Sequence, residues 1–296
     1  MSQQELESIL KIVAASGLDS SAPLEARRAA FDAFVSRFPT PSSYRVETVA
    51  AGGLPAILVT PDGSDARKTL LFFHGGDYGL GSARGFQGMA SAFAQAAGCR
   101  VLIPDYRLAP EHRHPAAVED AATAYEYLLG RSASANSIAL VGDSAGGGLT
   151  CALLAALKGR GAPMPAAAAL ISPWLDLEGT GATMKSNAAS DPLLTPEGLA
   201  EMAASYLQGG SARAPSASPL YTDPAGFPPL LIQVGTREIL LDDSLRFANR
   251  AAKANVKVVL KIWPGMTHDW PVFAPVLVEG REAIAEAGVF LEAHMR

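Results

Sequence analysis

The chain holds only two cysteines, Cys99 and Cys151, among 296 residues. So few exclude a disulfide framework, and no Cys/His spacing suggests a zinc site. Both are expected as small buried residues in a reducing, cytoplasmic setting. No apolar run reaches the ~18 residues that would suggest a membrane span, so no stable membrane insertion is expected. The opening stretch MSQQELESIL is polar and acidic and lacks a signal pattern. Basic charge is scarce as well. A formal net charge of −5 gives neither nucleic acid nor an anionic membrane a surface to bind. There are no internal repeats, and no low-complexity tracts beyond short alanine runs.

What is present is ordinary globular material, 49% hydrophobic and 18% charged. The length suits two ordinary domains or one large α/β domain. Residues 5–38 read as two amphipathic helices. Leu6, Ile9, Leu10 and Val13 share one face of the first, and Leu24, Ala30, Phe31, Phe34 and Val35 one face of the second. The prolines of FPTPSS then stop the helical pattern. YRVETVA and LPAILVT, separated by Gly52-Gly53, read as an antiparallel pair around a tight turn.

From there short apolar runs alternate with helix-length segments. The runs lie at 69–76, 100–106, 137–143, 166–172, 229–235 and 256–264, with helical patterns near 86–97, 115–129, 146–158, 242–254 and 277–293. Near-continuous apolar strands between helices predict a parallel sheet covered on both faces, with loops converging at one edge. Residues 176–228 break this rhythm. They carry a helical insertion starting near Thr195-Pro196, and a cap built from it and the N-terminal helices is the simplest account.

One turn stands out. In LVGDSAGGGLT an apolar strand ends at a serine, Ser144, flanked by small residues and followed by a glycine-rich helix start. A sharp strand-to-helix turn exposes the hydroxyl above the sheet, and the small neighbours avoid collisions there. The N–H groups that open the helix favour negative charge. A phosphate-binding reading would need a Lys-Ser/Thr pair or G-x-G-x-x-G at this turn, and neither is present.

A nucleophilic serine needs a base, and the base needs an orienting acid. Of the five histidines, His268 in PGMTHDW follows a late strand and belongs at the same sheet edge as Ser144. His294 sits in a helical tail and is expected to be solvated, while His112 and His114, in a proline-flanked loop, are expected to make structural hydrogen bonds. The loop TREILLDDS offers Glu238, Asp242 and Asp243. Glu238 is nearest the strand end, and Asp242 is expected to cap the following helix. The order Ser144, Glu238, His268 is that of α/β-hydrolases. After the strand at 69–73, HGGDYGLGS places Gly75, Gly76 and Asp77 where backbone donors could stabilise an oxyanion together with Ala145. His74 is expected to shape that loop.

Taken in order, HGGDYGLGS, PDYRLAPEHRHPAAVED, GDSAGGGL, SPWLDL, SDPLLT, EILLDDS and PGMTHDW resemble the hormone-sensitive-lipase family of esterases, family IV of the bacterial lipolytic enzymes. The resemblance covers most of the chain. It implies an α/β-hydrolase fold with an eight-stranded, mostly parallel sheet, an N-terminal helical cap at 1–40, a catalytic domain at 41–296 and a cap insertion around 180–212. It also implies cofactor-free hydrolysis of short to medium acyl esters through an acyl-enzyme, with Ser144 as nucleophile and His268 as base.

Glu238 stands where many members have the aspartate of D-P-L-x-D. Asp191 of SDPLLT mimics that motif but precedes the penultimate strand, in the cap region. The family's His-Gly-Gly-Gly ends here in Asp77. Its N–H survives the change, and the carboxylate is expected to turn away and bond locally; otherwise it impairs or redirects activity. Residues near Trp174, Met184, Leu193, Leu207 and Trp270 are candidates to line the pocket together with the cap, though each could equally be plain core and most are expected to be. The edge of 256–264 is a candidate homodimer surface, since members of the family often pair edge to edge. Two rival readings share the fold: a small-molecule receptor, which resembles this family but lacks the working histidine, and an amide hydrolase using the same machinery.

Overall fold

The computed structural model describes residues 3–19, 21–131 and 134–296. Helices α1 (Gln3–Ala14) and α2 (Leu24–Val35) precede the antiparallel pair β1 (Arg45–Ala51) and β2 (Leu54–Thr60). The alternating region runs β3 (Asp65–Phe73), α3 (Gln87–Ala96), β4 (Cys99–Pro104), α4 (Ala116–Leu129), β5 (Ile138–Asp143), α5 (Ala145–Arg160) and β6 (Ala168–Ile171). The insertion holds α6 (Thr183–Ser186) and α7 (Pro196–Leu207). The chain closes with β7 (Leu230–Gly235), α8 (Leu241–Lys253), β8 (Val258–Trp263) and α9 (Val278–His294).

The strands form one eight-stranded sheet, ordered β1-β2-β4-β3-β5-β6-β7-β8. Contacts from β4 through β8 are parallel, and β1–β2 and β2–β4 are antiparallel. Because successive side chains on a strand face opposite ways, each central strand feeds two cores. Leu71 and Phe73 of β3 join Leu140 of β5 on one face, where α4, α5 and α8 pack. Leu70 and Phe72 join Val141 on the other, under α3 and α9. This double burial is why those strands read as unbroken apolar runs. Cys99 and Cys151 are free and buried within these cores. Gly52 and Gly53 both take positive φ, 64° and 96°, as a two-residue hairpin turn with the sheet's twist demands.

The N-terminal helices dock by a narrower stripe than the sequence suggests. Ile9 is buried and Val13 half-buried, but Leu10 is exposed; the side chain of Leu6 lies outside the described residues. In α2, Phe34 and Val35 are buried and Phe31 is half-buried. Helix α7 starts as expected, with Thr195 Oγ1 accepting the Gly198 N–H at 3.0 Å and Pro196 in the first turn. The two segments meet where Arg27 of α2 pairs with Glu201 of α7 at 3.2 Å. Among the described residues no helix is long and apolar enough to cross a membrane.

Candidate active site

The turn from β5 into α5 gives Ser144 its geometry. Its φ is 52° and ψ −120°, a conformation that L-residues adopt only where the surroundings enforce it. The Ser144 N–H donates to the Ile171 carbonyl at 2.8 Å, and its own carbonyl accepts from Trp174 at 2.9 Å and Gly147 at 3.0 Å. A Cβ on Gly146 would collide with the Phe73 carbonyl, so only glycine lets α5 approach β3 this closely.

His268 and Glu238 meet the serine from two other strand ends. His268 Nε2 lies 2.9 Å from Ser144 Oγ, and Nδ1 lies 3.0 Å from Glu238 Oε2. Glu238 Oε1 accepts the Gly235 N–H at 2.6 Å and the Ser172 hydroxyl at 2.7 Å. All three members are buried. Burial pushes the Glu238 carboxyl up to about 7, while the bonds from His268, Gly235 and Ser172 act in the opposite direction. Three donors converge on this carboxyl, which is the environment of an ionised acid. His268 is raised well above the ordinary histidine value: burial lowers it, but Asp269 and then Glu238 outweigh that.

Ser172 is a member of the site that the sequence reading missed. It sits just past β6 at φ 45°, orients Glu238 and accepts the Asp269 N–H at 3.2 Å. Its one signal was a polar residue ending an otherwise apolar strand at the loop-bearing edge of the sheet.

The other acids fall elsewhere. Asp191 binds the backbone N–H groups of Leu193, Leu194 and Ile239, tying the insertion to the Glu238 loop. Asp243 holds the N–H groups of Leu175 and Asp176. Asp242 makes no cap for α8; it lies inside the first turn, and its carboxylate accepts the Thr183 N–H at 3.2 Å.

The oxyanion loop requires two corrections. The Gly75 N–H donates to Asp143 Oδ1 at 3.0 Å and is therefore committed to the elbow. Gly76, Asp77 and Ala145 remain, and no hydrogen bond engages their N–H groups among the described residues. Gly76 takes φ 111° and Asp77 φ 56°, which curls the loop so that the Gly79 and Leu80 N–H groups bond the Gly76 carbonyl.

The Asp77 side chain does not turn away. It lines the cavity beside Ser144 and His268 and carries no hydrogen bond among the described residues. Burial raises its pKa to about 6, with the positive field of His268 opposing. His74 shapes the loop as expected: it stacks on Tyr106 with ring centroids 4.3 Å apart, and its Nδ1 lies 2.8 Å from the Gly75 carbonyl. Burial lowers it to about 4, which leaves it neutral at pH 7.

The cavity measures about 270 Å³. Phe31, Phe34 and Val35 of α2 wall one side, and Leu193, Leu199 and Met202 of the insertion wall another. Of the five candidate pocket residues Leu193 lines it, and Trp174, Met184, Leu207 and Trp270 are core, as expected for most of them. Large apolar residues near a motif look alike in sequence whether they wall a cavity or fill a core. Neither His112 nor His114 lines the cavity; His114 packs edge-on against Tyr206. His294 is half-buried, with Nδ1 2.7 Å from the Phe290 carbonyl, rather than solvated. Among the described residues no three His, Cys, Asp or Glu side chains are placed to hold a metal ion.

Comparison with known proteins bears on the fold and the family. A family model described as the alpha/beta hydrolase fold matches residues 70–272. An acetyl-hydrolase of Streptomyces hygroscopicus is 43% identical over 291 residues, 98% of this chain and 97% of its own. An esterase of Acinetobacter venetianus is 33% identical, with 96% and 94% covered. A crystal structure of an esterase from the bacterial hormone-sensitive lipase family superposes with a TM-score of 0.97 at 41% identity over 100% of both chains.

Proposed function

The chain belongs to the hormone-sensitive-lipase family of α/β-hydrolase esterases, and on that premise we propose that this carboxylic ester hydrolase cleaves short to medium acyl esters with Ser144, His268 and Glu238 as its catalytic triad. The observation that carries the reading is the unbroken line of contacts from Ser144 Oγ through both ring nitrogens of His268 to Glu238.

Ser144 Oγ attacks the ester carbonyl as its proton passes to His268 Nε2. The charge that develops on the carbonyl oxygen is met by the N–H groups of Gly76, Asp77 and Ala145, the last at the positive end of α5. His268 then returns the proton to the leaving alcohol, which leaves the acyl group on Ser144. Water, deprotonated by the same nitrogen, releases the acid. Throughout, Glu238 holds the Nδ1–H tautomer and offsets the imidazolium charge. No cofactor enters any step.

The helices at 1–40 and the insertion around 180–212 act as the cap, since both supply cavity walls. The acyl preference is supported by a cavity at the small end of ligand sites that α2 and α7 flank together. On p-nitrophenyl acetate, butyrate, octanoate and palmitate, kcat/KM is expected to peak at the short esters and fall at least about tenfold by palmitate. A maximum at palmitate would overturn the chain-length assignment. The β8 edge exposes Val259 and Ile262, which supports pairing of two copies along it.

Asp77 places a carboxylate where negative charge accumulates. At an effective dielectric near 20, a unit charge roughly 6 Å from the oxyanion costs on the order of 2–3 kcal/mol, and water at the cavity mouth screens part of it. Asp77→Gly also suits the left-handed backbone there. We expect it to raise kcat/KM on p-nitrophenyl butyrate about tenfold at pH 8. The gain should be smaller at pH 5, where the parent carboxyl, with its pKa near 6, is already protonated. An equal or lower kcat/KM in the variant at pH 8 would show that the carboxylate does not impair the reaction.

A further inference from the structure

His268 has a second acid on its serine side. Asp269 Oδ2 lies 3.1 Å from Nε2, nearly as close as Ser144 Oγ at 2.9 Å. Asp269 adopts φ 46° and ψ 38°, the left-handed region, which folds its side chain back toward the ring of the preceding residue. The bond from its N–H to Ser172 Oγ fixes that turn.

Asp269 is also joined to the nucleophile elbow. Its carboxyl lies against that of Asp143, and Asp143 Oδ2 and Asp269 Oδ1 are both buried without a hydrogen-bond donor among the described residues. Two carboxyl groups in such contact hold one proton between them. Burial and then the charge of Asp269 raise Asp143 well above the ordinary aspartate value, which favours its protonated form. The groups that face His268 are Glu238 from the β7–α8 loop, Ser144 and Asp143 from the elbow, Asp77 from the loop after β3, and Asp269 itself. Arg27 of α2 is a cation on the same cavity wall.

We propose that Asp269 is a positioning residue that stabilises the imidazolium of His268 from its Nε2 side, opposite Glu238. The proposal rests on His268 being the base of the reaction above.

It has two consequences of opposite sign. In the resting enzyme Asp269 competes with Ser144 for Nε2: the imidazolium donates its Nε2–H to the carboxylate, and only the neutral ring can accept the serine proton. During acylation the same carboxylate steadies the cation as it forms. Activity therefore rises with pH through a value above the ordinary histidine range, because a raised pKa keeps the base form scarce until that pH is passed.

The test is the pH profile of kcat/KM on p-nitrophenyl butyrate for the parent and Asp269→Asn, between about pH 5 and 9. The variant is expected to move the acid limb down by about one pH unit or more. It should be faster than the parent below the limb and slower on the plateau, so that the two profiles cross. A uniform loss with an unmoved limb would mean that Asp269 only packs the loop, and would overturn the proposal.

Should the variant fail to fold, NMR titration of the parent's 15N-labelled histidines decides the question, with the His268 signal assigned by its loss in His268→Ala. A His268 that titrates at or below the ordinary value overturns the proposal. One that titrates above it, in the parent and in Asp143→Asn alike, supports it, because the asparagine is neutral and its amide still donates to Asp269; a fall to the ordinary value in Asp143→Asn would trace the raised value to Asp143 and overturn the role of Asp269. The reading of His268 as base has its own failure mode: full activity in His268→Ala. That result would sink the triad, whereas an unmoved limb with an inactive His268→Ala would sink only the role of Asp269.

Discussion

Replacing Ser144 with alanine is expected to lower kcat for p-nitrophenyl butyrate by about 10⁵–10⁶-fold, the scale seen when a serine hydrolase loses its nucleophile. Among the described residues the side chain's hydrogen bond goes to His268 Nε2, so its removal leaves the sheet, the elbow and the oxyanion donors in place. The backbone bonds to Ile171, Trp174 and Gly147 do not involve the hydroxyl, and alanine meets the same left-handed strain that serine does. The variant should therefore fold with nearly the parent's stability, and thermal unfolding checks this in the same preparation. The activity that remains should come from the oxyanion donors and binding alone. A loss of less than about tenfold would place the nucleophile elsewhere.

Glu238→Gln is expected to cost about 10³–10⁴-fold in kcat, although the side chain keeps its size. The reason lies in what Oε1 already does. Two donors, the Gly235 N–H and the Ser172 hydroxyl, converge on that oxygen. A glutamine must put its carbonyl there and turn its NH₂ toward His268 Nδ1. An amide donor at Nδ1 selects the tautomer protonated at Nε2, which cannot take the proton from Ser144. KM should change little, because Glu238 does not line the cavity. Kinetics over a range of ester concentrations check both parts. A variant within about tenfold of the parent would assign the acid's role to another group.

The layered fold was readable because β3 through β7 are covered on both faces and so spell continuous apolar runs, with helices between them at the right length. Ser144, Glu238 and His268 were readable because the topology fixes which loops share an edge. Each follows a strand, β5, β7 and β8, and the parallel sheet carries those ends to one side.

What sequence could not supply are contacts decided by where a side chain points. Gly75 was grouped with the oxyanion donors because it belongs to the glycine run, yet Asp143 takes its N–H. Asp77 was expected to turn away, but a positive φ leaves its carboxyl in the cavity. Asp242 stands where a cap belongs, and α8 begins one residue before it. Trp174 and Trp270 are as buried as any residue in the cores, and nothing in their spacing separates that from a cavity wall. The contact of Asp269 with Asp143 joins two loops 126 residues apart and leaves no mark on local pattern.

The central claim is that the acyl group passes through Ser144. Its most direct test is to mix the enzyme with p-nitrophenyl butyrate, quench in acid within the first turnovers, digest, and look by mass spectrometry for a butyryl group. The account predicts the butyryl increment on the peptide containing Ser144, absent in Ser144→Ala and accumulating with a burst of p-nitrophenol whenever deacylation is the slower step. A butyryl group on any other residue, or burst kinetics that persist in Ser144→Ala, would contradict it.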